Sequence, residues 1–366
     1  MEQKKISGRI RIKDIADMAN VSPGTVDRVI HNRGGVAPES KERIEKILKE
    51  LDFRPNKMAQ MLAIKKGNKM VCILPETKKG GYWHDVIKGI KRAEQESADY
   101  KVQIELLHFD QYDAGTLGKS MEHLMKMNPD GVVLAPFFRR ETLKLTKELE
   151  ERRIPFVFID SNVNSAQSLA YYGQHSHRSG YMAAKLMFNG LPEKSTILLV
   201  HMLRGGAASA NQTATREEGF VSYIEKHSLE EKYNIMRVDI HAENEEENFS
   251  KLDEILKSTP DIRGAISFNS RIYRIADYIE EHKLKNIRVI GYDLLERNVR
   301  HLKHGTVECL IAQRPQLQGY YGVMALTNYL VFDHTPSSSI CYMPIDILFK
   351  ENIEDYKVYP FDADLN

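Results

Sequence analysis

Apolar and polar positions along residues 70–312 follow two alternating patterns. Short runs of consecutive apolar residues, such as 70–74 and 196–201, are typical of buried strands. The segments between them repeat apolar residues every three or four positions, which predicts helices. Strands that alternate with helices in this way form parallel sheets with helices on both faces. The series occurs twice, so the sequence predicts an α/β core of two doubly wound parallel-sheet lobes.

The expected elements of these lobes follow from that pattern. Strands are expected at 70–74, 102–109, 131–136, 155–160, 196–201, 235–240, 264–268, 287–292, 307–312 and 343–349. Helices are expected at 85–98, 114–127, 141–152, 178–189, 214–227, 247–257, 271–283 and 315–332.

The amino-terminal part carries three short amphipathic segments. Apolar residues at helical spacing predict a first helix over 12–19. Ser22 is a favourable N-cap, and Pro23 suits the first position of a second helix that runs to about His31. A third helix is expected over 38–51. Two short helices joined by a tight turn and braced by a third form an all-α helix-turn-helix head.

A helix-turn-helix lays its second helix in the major groove of DNA. Arg28 lies on the exposed side of that helix and can fork onto a guanine edge or a phosphate. Residues 1–66 carry a net charge of +6 and the rest of the chain carries −5. A basic end on an acidic body indicates nucleic-acid contact confined to that end.

Length and composition narrow the class of protein. The 366 residues suit two or three domains. No apolar run approaches the roughly 20 residues that span a bilayer, and the polar, basic start does not resemble a signal peptide. The chain has three cysteines, Cys72, Cys309 and Cys341, and no CxxC motif. We therefore expect these cysteines to be small buried apolar residues in a reducing compartment, and not a disulfide frame or a zinc site. The expected location is the cytoplasm, at the nucleoid, without membrane contact.

The head carries the spaced elements DIA, VS, TV-x-RV, RI, L-x-F-x-PN and LA. With this pattern, residues 11–63 resemble the DNA-binding head of the LacI/GalR family of repressors. The resemblance implies that Pro55–Ala63 forms a hinge helix that folds on DNA and pairs with its dimer mate. It also implies that Leu62 wedges into a minor-groove base step and kinks the operator, as apolar wedges do. The expected partners are therefore a palindromic double-stranded operator and a second copy of the chain.

The expected DNA contacts combine the second helix with the hinge. Pro23-Gly24 and Asp27 depart from the residues usual in the family, so the operator sequence is not predicted. The carboxyl end of the chain lacks a leucine heptad, which favours a homodimer over a tetramer. The contact residues are Ser22, Pro23, Gly24, Thr25, Asp27, Arg28, His31, Asn32, Asn56, Lys57, Ala59 and Leu62.

The two-lobed part resembles the periplasmic sugar-binding-protein fold that LacI/GalR regulators share. In that fold the chain crosses between lobes three times, which places crossings here near 162–170, 313 and 341. The expected domains are a helix-turn-helix at 1–54, a hinge and linker at 55–69, an N-terminal lobe at 70–166 and 314–340, and a C-terminal lobe at 167–313 and 341–366.

Ligands of open α/β sheets bind beyond the carboxyl ends of the strands, and in two lobes those ends face each other across a cleft. Planar polar side chains that bind hydroxyl groups, together with aromatic faces, are typical of saccharide sites. The ribose-type binding proteins that this part resembles use Asp, Arg, Asn, Asp and Gln in matching order. The candidate residues are Tyr82, Trp83, Phe137, Phe138, Asp160, Arg216, Asn269, Asp293 and Gln313.

Other sequence features do not assemble into a site. His175 and His177 lack a carboxylate or cysteine at metal-ligand spacing, so we expect capping roles and no metal. The glycine-rich segment 203–210 lacks the spacing of a phosphate loop, and the acidic run 243–247 is expected to be solvated. No nucleophile, base and oxyanion hole come together, so we expect neither an enzyme nor a cofactor.

Two alternatives to a sugar-controlled regulator remain open. One is the same DNA-binding role with a nucleobase or a phosphorylated metabolite as effector. A purine site would favour stacking aromatics, and Asp160 and Asp293 would repel a phosphate unless Arg216 compensates. The other is a solute-binding protein without a regulatory role, which would need export.

Overall fold

The computed structural model of the protein describes residues 11–30, 34–51, 53, 67–203, 211–241, 244–259 and 261–357. The expected hinge helix lies outside the described residues. So do six of the expected DNA contacts, His31, Asn32, Asn56, Lys57, Ala59 and Leu62.

The head consists of α1 (Ile12–Ala19), α2 (Pro23–Ile30) and α3 (Pro38–Glu50), as the amphipathic pattern predicts. Asn20 ends α1 in the left-handed conformation, and Ser22 Oγ accepts the backbone N–H of Thr25 at 3.1 Å at the start of α2. A small apolar core joins the three helices. Its buried members are Ile15, Ala16, Ala19, Val26, Val29, Ile44 and Ile47.

The two-lobed part begins at Asn68. Its strands are β1 (Asn68–Pro75), β2 (Val102–Phe109), β3 (Gly131–Leu134), β4 (Phe156–Asp160), β5 (Ala170–Gln174), β6 (Thr196–Leu203), β7 (Asn234–His241), β8 (Ile262–Ser267), β9 (Arg288–Tyr292), β10 (Cys309–Ala312), β11 (Ile340–Met343) and β12 (Asp346–Leu348). Its helices are α4 (Tyr82–Ser97), α5 (Ala114–Met127), α6 (Arg139–Glu151), α7 (Ser176–Phe188), α8 (Asn211–Lys226), α9 (Glu245–Ser258), α10 (Tyr273–Glu281), α11 (Glu296–His304), α12 (Pro315–Phe332) and α13 (Ile353–Lys357).

The strands form two six-stranded sheets, one in each lobe. The order is β11-β5-β4-β3-β1-β2 in the N-terminal lobe and β12-β10-β9-β8-β6-β7 in the C-terminal lobe. All the strand pairs are parallel except β10 with β12. The two doubly wound lobes are those that the sequence predicts.

Both faces of each sheet are covered, which explains the continuous apolar runs. In β1, Met70, Cys72 and Leu74 belong to the core on one face, whereas Val71 and Ile73 belong to the core on the other. All five are fully buried. Burying an aliphatic side chain of this size contributes about 1.5–3 kcal/mol, so the two cores fix the register of the strand.

One of the three expected crossings between lobes is displaced. Strand β5 pairs with β4, and β11 pairs with β5, so both belong to the N-terminal lobe. The chain therefore leaves this lobe after Gln174, beyond the expected 162–170, and again after Met343, close to the expected 341. The N-terminal lobe accordingly holds β5 and β11, which the expected boundaries at 166 and 340 leave out. The remaining crossing lies between β10 and α12, near 313 as expected.

Local pattern explains why some elements were not predicted. Strands β5 and β11 have only four or five residues, and three of the four residues of β11 are not fully buried. Helix α11 was also not expected, because its nine residues are mostly charged and polar. The strand expected over 343–349 is confined to β12.

The cysteines are reduced, as expected. Cys72 and Cys309 are buried in the lobe cores, and Cys341 is half-buried. Burial raises the pKa of both core thiols, so they are held as neutral, unreactive groups.

Glycines bring two pairs of helices into backbone contact. A Cβ on Gly180 of α7 would lie 1.8 Å from the carbonyl oxygen of Arg216, in α8. On α8, a Cβ on Gly219 would lie 1.9 Å from the carbonyl oxygen of His177. Helices α4 and α12 cross in the same way at Gly89. Each pair can pack this closely only because these positions carry no side chain.

We expect Gly180→Ala to destabilise the protein by about 1–3 kcal/mol, because the added methyl forces α7 and α8 apart. The control is Gly118→Ala in α5, where a Cβ meets nothing within 4 Å. Replacing that helical glycine should be neutral or stabilise by up to about 1 kcal/mol. Urea unfolding measures both, and equal midpoints in the two variants would contradict the close crossing.

Candidate functional site

The outer face of α2 carries the described part of the expected DNA contacts. Ser22, Pro23, Gly24 and Arg28 are exposed, and Thr25 and Asp27 are half-buried. Arg28 donates from Nη1 to the carbonyl oxygen of Gly34 at 3.0 Å. Its guanidinium is therefore oriented by the backbone carbonyl of Gly34. Val26 and Val29 of α2 face the head core, and the residues expected to contact DNA are not part of that core.

The second candidate site lies at the carboxyl ends of the strands. Asp160 ends β4, and Asp293 and Gln313 directly follow β9 and β10. Both aspartates adopt left-handed backbone angles, with φ of 69° and 68°. Such angles are uncommon outside glycine and are tolerated best by Asn and Asp. They turn the chain sharply at the sheet edge and leave both carboxylates between the lobes.

Arg216 organises the C-terminal side of this cleft. It extends from α8, and only 1% of its surface is exposed. Its Nη1 donates to the carbonyl oxygen of Phe268 at 2.8 Å, and its Nη2 donates to Oε1 of Gln313 at 2.6 Å. The guanidinium also stacks on the Tyr292 ring, 4.0 Å from the ring centroid. Gln313 in turn donates from Nε2 to Oδ1 of Asp293 at 2.7 Å.

Gln318 joins this group to the N-terminal lobe. It lies in the first turns of α12 and donates from Nε2 to the carbonyl oxygen of Gln313 at 2.7 Å. Its Oε1 accepts the backbone N–H of Asp160 at 2.9 Å and the hydroxyl of Tyr82 at 3.4 Å. One amide side chain thus connects strand ends of both lobes.

Gln212 makes a second connection between the lobes. Its Nε2 lies 2.9 Å from the carbonyl oxygen of Asp160, 3.2 Å from Oδ1 of Asp160 and 3.1 Å from Oε1 of Gln313. Sequence reasoning missed both Gln212 and Gln318. Gln212 precedes Arg216 by four residues and so shares its helix face, a signal that could have identified it.

The other predicted effector residues make their contacts within their own lobes. Trp83 is buried and packs edge-on against Tyr82, with ring centroids 5.0 Å apart. Phe137 and Phe138 are half-buried and pack against Phe109 in the N-terminal lobe.

Asn269 is also half-buried, and its Oδ1 accepts the backbone N–H of Arg271 at 2.8 Å. Hydrogen bonds thus join five predicted residues and the two bridging glutamines into one connected group, with Arg216 and Asp293 attached through Gln313. Those five are Tyr82, Asp160, Arg216, Asp293 and Gln313.

Burial raises the pKa of both cleft carboxyl groups to about 6. Arg216 opposes the effect at each of them, helped at Asp160 by hydrogen bonds from Tyr82 and Gln212 and at Asp293 by one from Gln313. Asp160 adds to the rise at Asp293 because the two negative charges repel. Near neutral pH the two carboxylates share one guanidinium, and the group carries about one negative charge.

Of the two histidines expected to have capping roles, His175 is the N-cap of α7 and His177 lies within that helix. His175 Nδ1 accepts the backbone N–H of Arg178 at 3.2 Å, and His177 lies 3.2 Å from the hydroxyl of Ser222. Within the described ranges, three or more His, Cys, Asp or Glu side chains nowhere gather in a way that could hold a metal ion. Among the helices of the described residues, none has the length and apolar character needed to cross a membrane.

Comparisons with known proteins match both parts of the chain. Residues 71–333 match the periplasmic binding protein domain family, and residues 11–56 match the bacterial regulatory proteins of the lacI family. A solved structure assigned to the LacI transcriptional regulators of Bacteroides fragilis is 37% identical, with a TM-score of 0.75. It covers 80% of this chain and 100% of its own.

Two curated relatives cover both parts. The HTH-type transcriptional regulator MalR of Streptococcus pneumoniae is 23% identical over 339 residues, which is 91% of this chain and 96% of the relative. The ribose operon repressor of Lactococcus lactis is 25% identical over 297 residues, which is 77% of this chain and 80% of the relative.

We expect Asp160→Asn to make stability less dependent on pH. The raised pKa means that the folded protein keeps a proton that the unfolded chain releases between pH 3.8 and about 6. This group therefore lowers the free energy of unfolding as pH rises through that window, by up to about 3 kcal/mol, and the amide removes the effect. Urea unfolding at about pH 4 and about pH 7 measures this change in the free energy of unfolding.

The control for that measurement is Asp261→Asn, at an exposed position. It should leave the pH dependence of unfolding as in the unsubstituted protein. An Asp160→Asn profile that follows the unsubstituted protein at both pH values would contradict the buried titration.

Proposed function

Because the chain belongs to the LacI family of bacterial regulatory proteins, we propose that it is a repressor whose affinity for a palindromic operator is set by a small saccharide bound between its lobes. The family assignment makes it a DNA-binding transcriptional regulator and not an enzyme. The effector, its site and the dimer are the parts that we propose.

The single observation that supports the saccharide is the connected polar group in the cleft. Gln212, Gln313 and Gln318 present amide donors and acceptors, and Asp160 and Asp293 present carboxylate acceptors. A sugar hydroxyl both donates and accepts, so it can replace either partner in such a group. Several planar side chains converging on one space therefore suit a ligand with many hydroxyl groups.

Arg216 supplies a donor for that ligand. Its Nε is buried and finds no hydrogen-bond acceptor within the part of the chain that the structure describes. Buried donors without an acceptor are costly, so an effector oxygen at this position would be favoured. On the opposite lobe, the ring of Tyr82, whose hydroxyl donates to Gln318, can pack against the C–H face of a sugar.

The charge of the cleft disfavours a phosphorylated effector. Two carboxylates face one guanidinium, so a phosphate would meet net repulsion. Phe137 and Phe138 pack on Phe109 and on each other, which leaves little free ring surface for stacking a nucleobase. The likeness to a ribose operon repressor also supports a saccharide.

The proposed regulation of operator binding works through a shift between two conformational states of the protein. Gln212 and Gln318 already connect the lobes, so an effector that exchanges hydrogen bonds with them changes how the lobes meet. An effector with unequal affinity for two lobe arrangements shifts their populations by that difference. In a cytoplasmic homodimer the shift would alter the spacing and order of the two hinge helices, Pro55–Ala63, on the operator.

Arg216→Ala should abolish the response to the effector. A thermal-shift screen of monosaccharides, sugar phosphates and nucleobases first identifies the ligand, which should stabilise by about 2.7 kcal/mol at a hundredfold excess over Kd. The control is Arg237→Ala, whose side chain lies outside the cleft and pairs with Glu217. If Arg216→Ala keeps the full thermal shift, or if only phosphates or nucleobases stabilise, the saccharide site is overturned.

Leu62→Ala should weaken operator binding and reduce the bend of the DNA. Loss of the apolar wedge leaves the minor-groove step stacked, so both effects should appear together. Gel shifts on circularly permuted operator fragments measure affinity and bend, and Leu62→Met serves as the control that keeps an apolar wedge. Wild-type bending by Leu62→Ala would rule out the wedge, whereas weak salt dependence of the unsubstituted protein would rule out phosphate-dominated binding.

A further inference from the structure

The cleft has a hinge side and a mouth side, and sheet order separates them. The chain leaves the N-terminal lobe from β5 and β11, at one edge of its sheet, and β2 forms the opposite edge. In the C-terminal lobe, β10 and β12 lie at the hinge edge, and β8 lies farther from it. Loops that follow β2 and β8 therefore meet away from the hinge, where an effector would enter.

A cation–π contact joins those two loops. The guanidinium of Arg271, which follows β8, lies over the ring of Tyr112, which follows β2, at 5.3 Å from the ring centroid. Both side chains are half-buried. The contact spans the two lobes, because Tyr112 belongs to the N-terminal lobe and Arg271 to the C-terminal lobe.

Local hydrogen bonds fix the backbone on both sides of this contact. The backbone N–H of Tyr112 donates to Oδ1 of Asp110 at 2.9 Å, and that of Asp110 donates to Oγ1 of Thr116 at 2.9 Å. The backbone N–H of Arg271 donates to Oδ1 of Asn269 at 2.8 Å. The two loops thus present the ring and the guanidinium from ordered turns.

We propose that Arg271 and Tyr112 form a clasp across the mouth of the cleft, which slows release of the effector and restricts it to a monosaccharide. The inference rests on the proposed saccharide site. An effector among Asp160, Gln212 and Asn269 would be enclosed by Gln318 on the hinge side and by the clasp on the mouth side. A second sugar ring directed to the mouth would have to separate the guanidinium from the tyrosine ring.

The test follows the fluorescence of Trp83, the single tryptophan of the chain, in the full-length protein. The probes are D-ribose, D-glucose and D-galactose as monosaccharides, and maltose and lactose as disaccharides. Arg271→Ala and Tyr112→Ala should each raise the dissociation rate of the bound monosaccharide about three- to tenfold, as loss of one cation–π contact implies. The double variant should add little, and at least one disaccharide should now bind.

Two controls separate the clasp from general effects. Tyr112→Phe keeps the ring and should release the monosaccharide at the rate of the unsubstituted protein. Arg297→Ala removes a guanidinium that lies 4.3 Å over the Tyr273 ring within one lobe, and it should also leave the rate unchanged. Unchanged rates in both clasp variants, with disaccharides still excluded, overturn the clasp and leave the saccharide site intact.

A separate result bears on the proposed function. If none of the five sugars changes the fluorescence of the unsubstituted protein and no monosaccharide in the thermal-shift screen stabilises it, the saccharide assignment fails. Urea unfolding of the same variants without ligand then tests whether Arg271 and Tyr112 interact across the lobes. Coupling between the two substitutions supports the contact across the lobes, and additive effects overturn it.

Discussion

Arg216 places a guanidinium with almost no exposed surface beside two buried carboxylates, Asp160 and Asp293. A charge taken out of water costs several kcal/mol unless it is paired and hydrogen-bonded. The carbonyl oxygen of Phe268 and the side chain of Gln313 provide the acceptors, and Tyr292 covers the guanidinium face. The strand ends of the C-terminal lobe are therefore arranged around this one side chain.

The position of Arg216 depends on backbone packing as much as on charge. Gly180 lets α7 approach the carbonyl of Arg216 itself, so the helix pair sets the depth at which the guanidinium enters the cleft. The other lobe has an equivalent arrangement, because Gly319 of α12 meets the carbonyl of Val86 in α4. That pair carries Gln318 and Tyr82. The cleft groups on both sides therefore extend from closely crossed helices, which hold them more rigidly than loops would.

The parts of this structure that the sequence predicts are those encoded by local pattern. The apolar run of β1 identifies a strand covered on both faces, and the rule that ligands meet strand ends identifies Asp160, Asp293 and Gln313. The short edge strand β11 depends on pairing with β5 across more than 160 positions, such as Ile340 with Tyr171, which no local window contains. Gln318 was missed because packing sets the face that α12 turns to the cleft, whereas the four-residue spacing of Gln212 from Arg216 is a signal that the sequence does carry.

The left-handed backbone of Asp160 and Asp293 constrains how this cleft can change its specificity over evolutionary time. Side chains branched at Cβ are strongly disfavoured at such angles, and Asn, Asp and Gly adopt them most readily. A descendant of this chain that acquires a new effector therefore has few replacements available at these two positions. Gln212 and Gln318 lie in helices, where the backbone accepts most residues. Substitutions at these two helical positions are therefore the main route to a new ligand preference.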